Sequence, residues 1–129
     1  MALLAFVTLL AVLEYVVISL LVARARGRYG IQAPATSGNE IFERYFRVQQ
    51  NTVEQLVLFL PSLWIFGSYV SASLAALLGL VFIAGRALYL RSYVADPAQR
   101  SAGLLLSCAP SVVMLIGGLV GAALAALRG

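Results

Sequence analysis

Long apolar segments, broken at three places by arginine, asparagine, glutamate and tyrosine, constrain this chain more than any other feature. The breaks are the end of the first apolar run, with Arg24, Arg26 and Arg28; the stretch ERYFRVQQNTVEQ (Glu43–Gln55); and GRALYLRSYVADPAQR (Gly85–Arg100). Hydrophobic residues make up 62% of the 129 residues, and the mean hydropathy is +0.96. Soluble domains hold about 45–50% apolar residues. A chain this short cannot hide such a surface from water, so lipid is its expected solvent and helices its expected elements. Polar and ionisable groups at membrane depth are costly, and by default they mark a site.

Four helical segments are expected, at about 2–24, 40–70, 73–94 and 97–127, in one domain over residues 1–129. Each approaches the roughly 20 residues that cross a hydrocarbon core of about 30 Å. The fold class is therefore an all-α integral membrane bundle of four transmembrane helices. The N-terminal MALLAF lacks a basic leader, and the run Ala2–Ala23 exceeds a signal-peptide core, so it reads as a retained helix. Gly27–Gly38 (GRYGIQAPATSG) reads as a loop, and Ser71 and Ser73 mark a tight turn. Asp96-Pro97-Ala98-Gln99 reads as a helix start, which puts Arg100 in the first turn of the fourth helix. Pro61 and Pro110 fall inside helices. Gly117 and Gly121, with Ala72, Ala75, Ala76 and Gly79, suit close helix packing.

All nine basic residues are Arg, and no Lys or His is present. Without His, and with Cys108 alone, neither a metal site nor a His general base is expected. The net charge of +4 is interleaved with apolar runs. It points to a membrane surface or a small anionic ligand rather than nucleic acid. Eight of the arginines lie around the first and third loops and only Arg128 on the other side, so the positive-inside rule places both loops in the cytoplasm.

Arg47, Asn51 and Glu54 fall at i, i+4 and i+7 and share one helix stripe, with Gln50 at its edge. Arg86, Tyr89 and Tyr93 form a second stripe, and Arg26 and Arg100 return to the same end. Arg forks bind carboxylates, an acid such as Glu54 holds an ammonium, and Gln49 and Asn51 fix amides. Plainer readings stand beside this one. Arg24 and Arg28 suit topology marking. Arg47 and Glu54 could pair with each other, and Tyr89 and Tyr93 could belong to the interfacial aromatic belt. Phe46, Phe59, Trp64 and Phe66 suit packing or lipid contact, and Cys108 an inert buried thiol. Glu14 has three open readings: a protonated acid, a partner for an Arg, or a group at a subunit seam.

The patterns FERYFRVQQNTVEQLVLFLPSLWIFG and GLVFIAGRALYLRSYVADPAQR resemble the membrane-associated proteins in eicosanoid and glutathione metabolism. The resemblance is to the branch with microsomal glutathione transferases and leukotriene-forming synthases, and it covers nearly the whole chain. It rests on an ER-x-x-R-x-Q-x-N-x-x-E run and an R-x-x-Y-x-x-x-Y run followed seven residues later by Arg. The resemblance implies a homotrimer with glutathione as co-substrate, bound between subunits near the cytosolic side. It implies glutathione contacts from Arg26, Arg47, Gln49, Asn51, Glu54, Tyr89 and Tyr93, a thiolate-holding Arg100, and a supporting Arg86. Gln55 stands where the leukotriene branch often has Tyr, and Gly27 where it has a second Arg.

The activity so implied is a membrane glutathione transferase acting on lipophilic electrophiles from the bilayer, as in detoxification, with peroxidase activity toward lipid hydroperoxides as a further expectation. A non-catalytic scaffold or lipophilic-ligand-binding protein of the same fold is the alternative, and a small transporter a more distant one. The Ala-, Leu-, Gly- and Arg-rich composition suggests a bacterial inner membrane.

Overall fold

A computed structural model describes all 129 residues. Four long helices follow one another: α1 (Ala2–Arg28), α2 (Glu40–Tyr69), α3 (Ala72–Ala95) and α4 (Ser101–Arg128). A single 3-10 turn, Pro97–Gln99, precedes α4. At about 1.5 Å per residue, each helix exceeds a bilayer's hydrocarbon thickness.

The ends are set by side chains. Asn39 caps α2, its Oδ1 accepting from the Ile41 and Phe42 amides at 2.9 and 3.0 Å. Ser71 caps α3 through the Leu74 amide at 3.1 Å. Each satisfies backbone donors that have no partner within the helix. Asp96 accepts from the Ala98 amide at 3.1 Å, but the turn it caps is the 3-10 turn. Arg100 is therefore the N-cap of α4, not a residue of its first turn, because Pro97 starts the tighter turn. α1 runs to Arg28 rather than ending near residue 24. Arginine is a good helix former, and Arg26 and Arg28 complement the negative end of the helix dipole.

Three layers of core run along the bundle. Leu4, Ala11, Leu56, Phe59, Leu63, Phe66, Ala75, Phe82 and Met114 form the largest. Phe59 and Phe82 stack at its centre, 3.8 Å between centroids. Ile18, Val48 and Tyr89 form the next layer, and Val22, Ala25 and Phe42 the last. Phe46 leans on Phe42, and Trp64 donates to the Thr8 hydroxyl at 2.9 Å. Outside the core, Leu3, Phe6, Leu9, Leu13 and Leu20 of α1 are exposed, as are Leu105, Val113, Ile116 and Leu119 of α4. An apolar exterior of this extent belongs in lipid.

By length and composition three helical segments can cross a membrane: Ala2–Arg28, Ala72–Ala95 and Pro97–Arg128. Of the four transmembrane helices expected, α2 is the one not apolar enough to count among these. Its first half carries Glu40, Glu43, Arg44, Arg47, Gln49, Gln50, Asn51, Glu54 and Gln55, which lower its hydropathy. Most of these groups sit at the end of the bundle that also holds the α3–α4 corner. Arg44 ties the two together, donating to the Val94 and Ala95 carbonyls at 3.0 and 3.3 Å.

α3 and α4 pack backbone against backbone where Gly103 meets Tyr89 and Gly85 meets Leu106 and Ser107. A Cβ at Gly103 would overlap Tyr89 main-chain atoms, which cannot swing aside as a flexible side chain does. Gly103→Ala is expected to destabilise the detergent-solubilised protein by about 1–3 kcal/mol. Gly27→Ala, on a helix with nothing near the new methyl, is expected to stabilise it by up to about 1 kcal/mol. Thermal unfolding of the two variants in one detergent checks the contrast, and equal shifts contradict the close-approach account.

Candidate functional site

Five of the predicted residues converge. Arg47 and Asn51 from α2, Tyr89 and Tyr93 from α3, and Arg100 from the start of α4 line one cavity of about 320 Å³. Leu104, one turn into α4, supplies an apolar wall that the sequence did not single out. The volume lies at the lower end of the roughly 300–1,000 Å³ typical of small-molecule sites. A second cleft between α2 and α4, lined by Pro61, Ile65, Met114 and Leu115 among others, has no ionisable lining.

The cavity is cationic. The one ion pair in the chain joins Arg44 to Glu40 at 2.7 Å. Arg47 and Arg100 therefore face the cavity without a carboxylate partner, and the reading in which Arg47 pairs with Glu54 is set aside. Arg100 donates only to the Pro97 carbonyl, at 3.3 Å, and is exposed. Tyr89 and Tyr93 stack with centroids 5.4 Å apart. Tyr89 is 3% exposed and packs into the Ile18–Val48 layer, so it belongs to the cavity wall rather than to an aromatic belt. The Asn51 Oδ1 is buried and has no hydrogen-bond partner. Such an acceptor costs about 1–3 kcal/mol, and a donor brought by a ligand would satisfy it.

The other predicted residues lie elsewhere in this chain. Arg26 donates to the Ala35 carbonyl at 2.7 Å and stands over the Phe42 ring at 4.9 Å, folding the first loop back onto α1. Gln49 donates to the Ser19 hydroxyl at 3.0 Å, on the α1–α2 seam. Glu54 continues the α2 stripe but is exposed, beyond the cavity lining. Arg86 is fully buried behind Tyr89, bonded to Thr52 and Ser107. Glu14 is half-buried on α1 with one carboxyl oxygen unpartnered. Cys108 is half-buried rather than enclosed, its Sγ 3.6 Å from the Gln55 amide oxygen. Thr52 and Ser107 went unnoticed in the sequence, since single hydroxyls in apolar runs look like packing groups.

Fold and site together define a helical membrane protein with a small cationic pocket at one end. The sequence profile of the MAPEG family matches residues 4–120, and the chain belongs to that family. It is 38% identical to human microsomal glutathione S-transferase 2 over 121 residues, covering 94% of this chain and 82% of that one. It is 42% identical to bovine leukotriene C4 synthase over 106 residues, 82% of this chain and 71% of that one. An uncharacterised protein of Synechocystis is 45% identical over 116 residues, 90% and 85% of the two chains. The family and branch expected from the motifs are those found.

The orphaned Asn51 oxygen makes a prediction about the empty protein. Asn51→Leu is expected to leave its unfolding temperature unchanged or higher, because an unsatisfied polar atom is removed. A fall of several degrees on thermal unfolding, without ligand, would show that Asn51 instead holds the fold.

Proposed function

We propose that this protein is a membrane-bound glutathione transferase. The observation that carries the reading is the cavity itself. It gathers Arg47, Asn51, Tyr89 and Tyr93, which match the family's glutathione contacts, with Arg100, which matches its thiolate-holding arginine. Relatives named as a glutathione S-transferase and a leukotriene C4 synthase support the same class of chemistry.

The chemistry follows from the groups present. Glutathione offers two carboxylates, an ammonium, two amides and a thiol. Arg47 takes a carboxylate through a forked pair of hydrogen bonds, Asn51 accepts from an amide, and the two phenols complete the cradle. A free thiol with a pKa near 8.5 is only a few per cent ionised at neutral pH. A guanidinium beside the sulfur that lowers this by about two units supplies about 2.7 kcal/mol of differential stabilisation. Arg100 does this by charge alone, since it stays protonated, and the thiol proton leaves to water.

The thiolate then attacks an electrophilic carbon and the leaving group departs, giving a conjugate. Toward a lipid hydroperoxide it attacks oxygen instead. The O–O bond breaks, the lipid alcohol leaves, and the resulting glutathione sulfenic acid condenses with a second glutathione to give the disulfide and water. The bilayer concentrates both kinds of substrate. Gly27 and Gln55, where the leukotriene branch carries Arg and Tyr, favour a transferase of lipophilic electrophiles over a leukotriene synthase.

Arg26, Gln49 and Glu54 belong to this reading through assembly. The cavity is open on one side, and none of the three lines it within one chain. In a homotrimer a neighbouring copy closes that side and brings its own polar flank to the ligand. The arginine asymmetry supports a site facing the cytoplasm, and the composition supports a bacterial inner membrane.

Arg100→Leu is the test. The variant is expected to fold, keep its oligomeric state and still bind glutathione. Its conjugation rate with 1-chloro-2,4-dinitrobenzene at neutral pH should fall about 25-fold, since a thiol pKa that returns from about 6.5 to about 8.5 cuts the thiolate fraction at pH 7 from about three quarters to about 3%. Unchanged turnover would remove Arg100 from the mechanism.

A further inference from the structure

Arg86 is the largest fully buried side chain in the protein, with no exposed surface. No carboxylate lies within 4.0 Å of it. Two hydroxyls hold its Nη atoms instead, and the buried Nε has no partner. The Thr52 Oγ1 accepts from Nη2 at 2.7 Å and the Ser107 Oγ accepts from Nη1 at 3.4 Å. Both hydroxyl protons are already committed, Thr52 donating to the Val48 carbonyl and Ser107 to the Gly103 carbonyl, each at 2.7 Å. Each oxygen is thereby turned to present its lone pairs to the guanidinium. Thr52 comes from α2 and Ser107 from α4, so the arginine of α3 is fixed from both neighbouring helices.

The plane so fixed lies against the ring of Tyr89, its Cζ 4.4 Å from the centroid. Tyr93 stacks on the same ring, and the main chain of Tyr89 packs against Gly103. Arg86 itself does not line the cavity, whereas Tyr89 does. A methionine would fill the same volume without orienting anything. A lysine would keep the charge but lose the flat fork that both hydroxyls and the ring engage.

We propose that Arg86 is a positioning residue for ligand recognition: held by Thr52 and Ser107, it fixes the Tyr89 ring at the cavity wall. This rests on the reading of the cavity as the glutathione site. The ligand is met by Tyr89, and Arg86 acts only through it. Loosening Arg86 therefore weakens binding in ground state and transition state alike, which raises KM and leaves kcat in place. Collapse of the bundle would lower kcat, thiolate formation and thermal stability together.

The test is a double-mutant cycle on the full chain in detergent, with Arg86→Lys, Tyr89→Ala and the double variant. Glutathione affinity is measured by calorimetry, and turnover with 1-chloro-2,4-dinitrobenzene. Arg86→Lys is expected to raise Kd and KM about tenfold, roughly 1.4 kcal/mol, with kcat and saturating thiolate absorbance within about twofold of wild type. In the Tyr89→Ala background the same substitution should have no further effect. Thr52→Val, which removes one hydrogen bond, should act in the same direction more weakly, and it carries the cycle if Arg86→Lys does not fold. Additive effects of Arg86 and Tyr89, or a loss of kcat at unchanged KM, would overturn the proposal. Absence of glutathione binding by the wild-type chain would overturn the functional reading itself, and the inference with it.

Discussion

Two glycines let α3 and α4 touch backbone to backbone, and the polar end of the protein is built around that contact. Gly85 meets the main chain of Leu106 and Ser107, and Gly103 meets that of Tyr89. The approach puts the Ser107 hydroxyl within reach of Arg86, and Arg86 against the ring of Tyr89. In lipid a guanidinium without partners is not tolerable, so its hydrogen bonds must come from inside the bundle. Thr52 and Ser107 supply them to the two Nη atoms from the flanking helices, while the buried Nε has no partner. One buried group thus links three helices and sets a wall of the cavity above it.

Much of this was legible because membrane helices punish polar residues that have no purpose. The stripe Arg47–Asn51 and the stripe Arg86–Tyr89–Tyr93 stand out against apolar surroundings, and helical periodicity alone predicts their faces. The Asp96-Pro97 start placed Arg100 at the correct end, missing only that Pro97–Gln99 forms a separate 3-10 turn. Periodicity says nothing about depth, however. Glu54 shares the face of Arg47 yet lies outside the cavity, and Gln49 turns to Ser19 on the other side of α2. Arg26 folds back to Ala35 because the first loop returns over the end of α1, a path no local pattern encodes. The roles of Thr52 and Ser107 depend on which helices become neighbours, so they appear only in three dimensions.

The cavity is lined for recognition by charge. Arg47 and Arg100 lack acid partners, and Asn51 lacks a donor. A tripeptide with two carboxylates and two amides answers each of those needs. Below the polar rim, Leu104 and the outer faces of α1 and α4 are apolar. On the proposed reading, a lipophilic substrate would reach the rim from the bilayer and glutathione from water. In the proposed transferase that meeting of two phases leaves no task for a general base: a fixed positive charge would produce the thiolate, and the second reactant would arrive already concentrated in lipid.

The most direct measurement is a glutathione titration of the solubilised wild-type protein, following the ultraviolet absorbance of the thiolate and then adding 1-chloro-2,4-dinitrobenzene. The account predicts a saturable thiolate signal at neutral pH, discharged as the conjugate forms. Folded protein that gives neither a thiolate signal nor glutathione binding would contradict it.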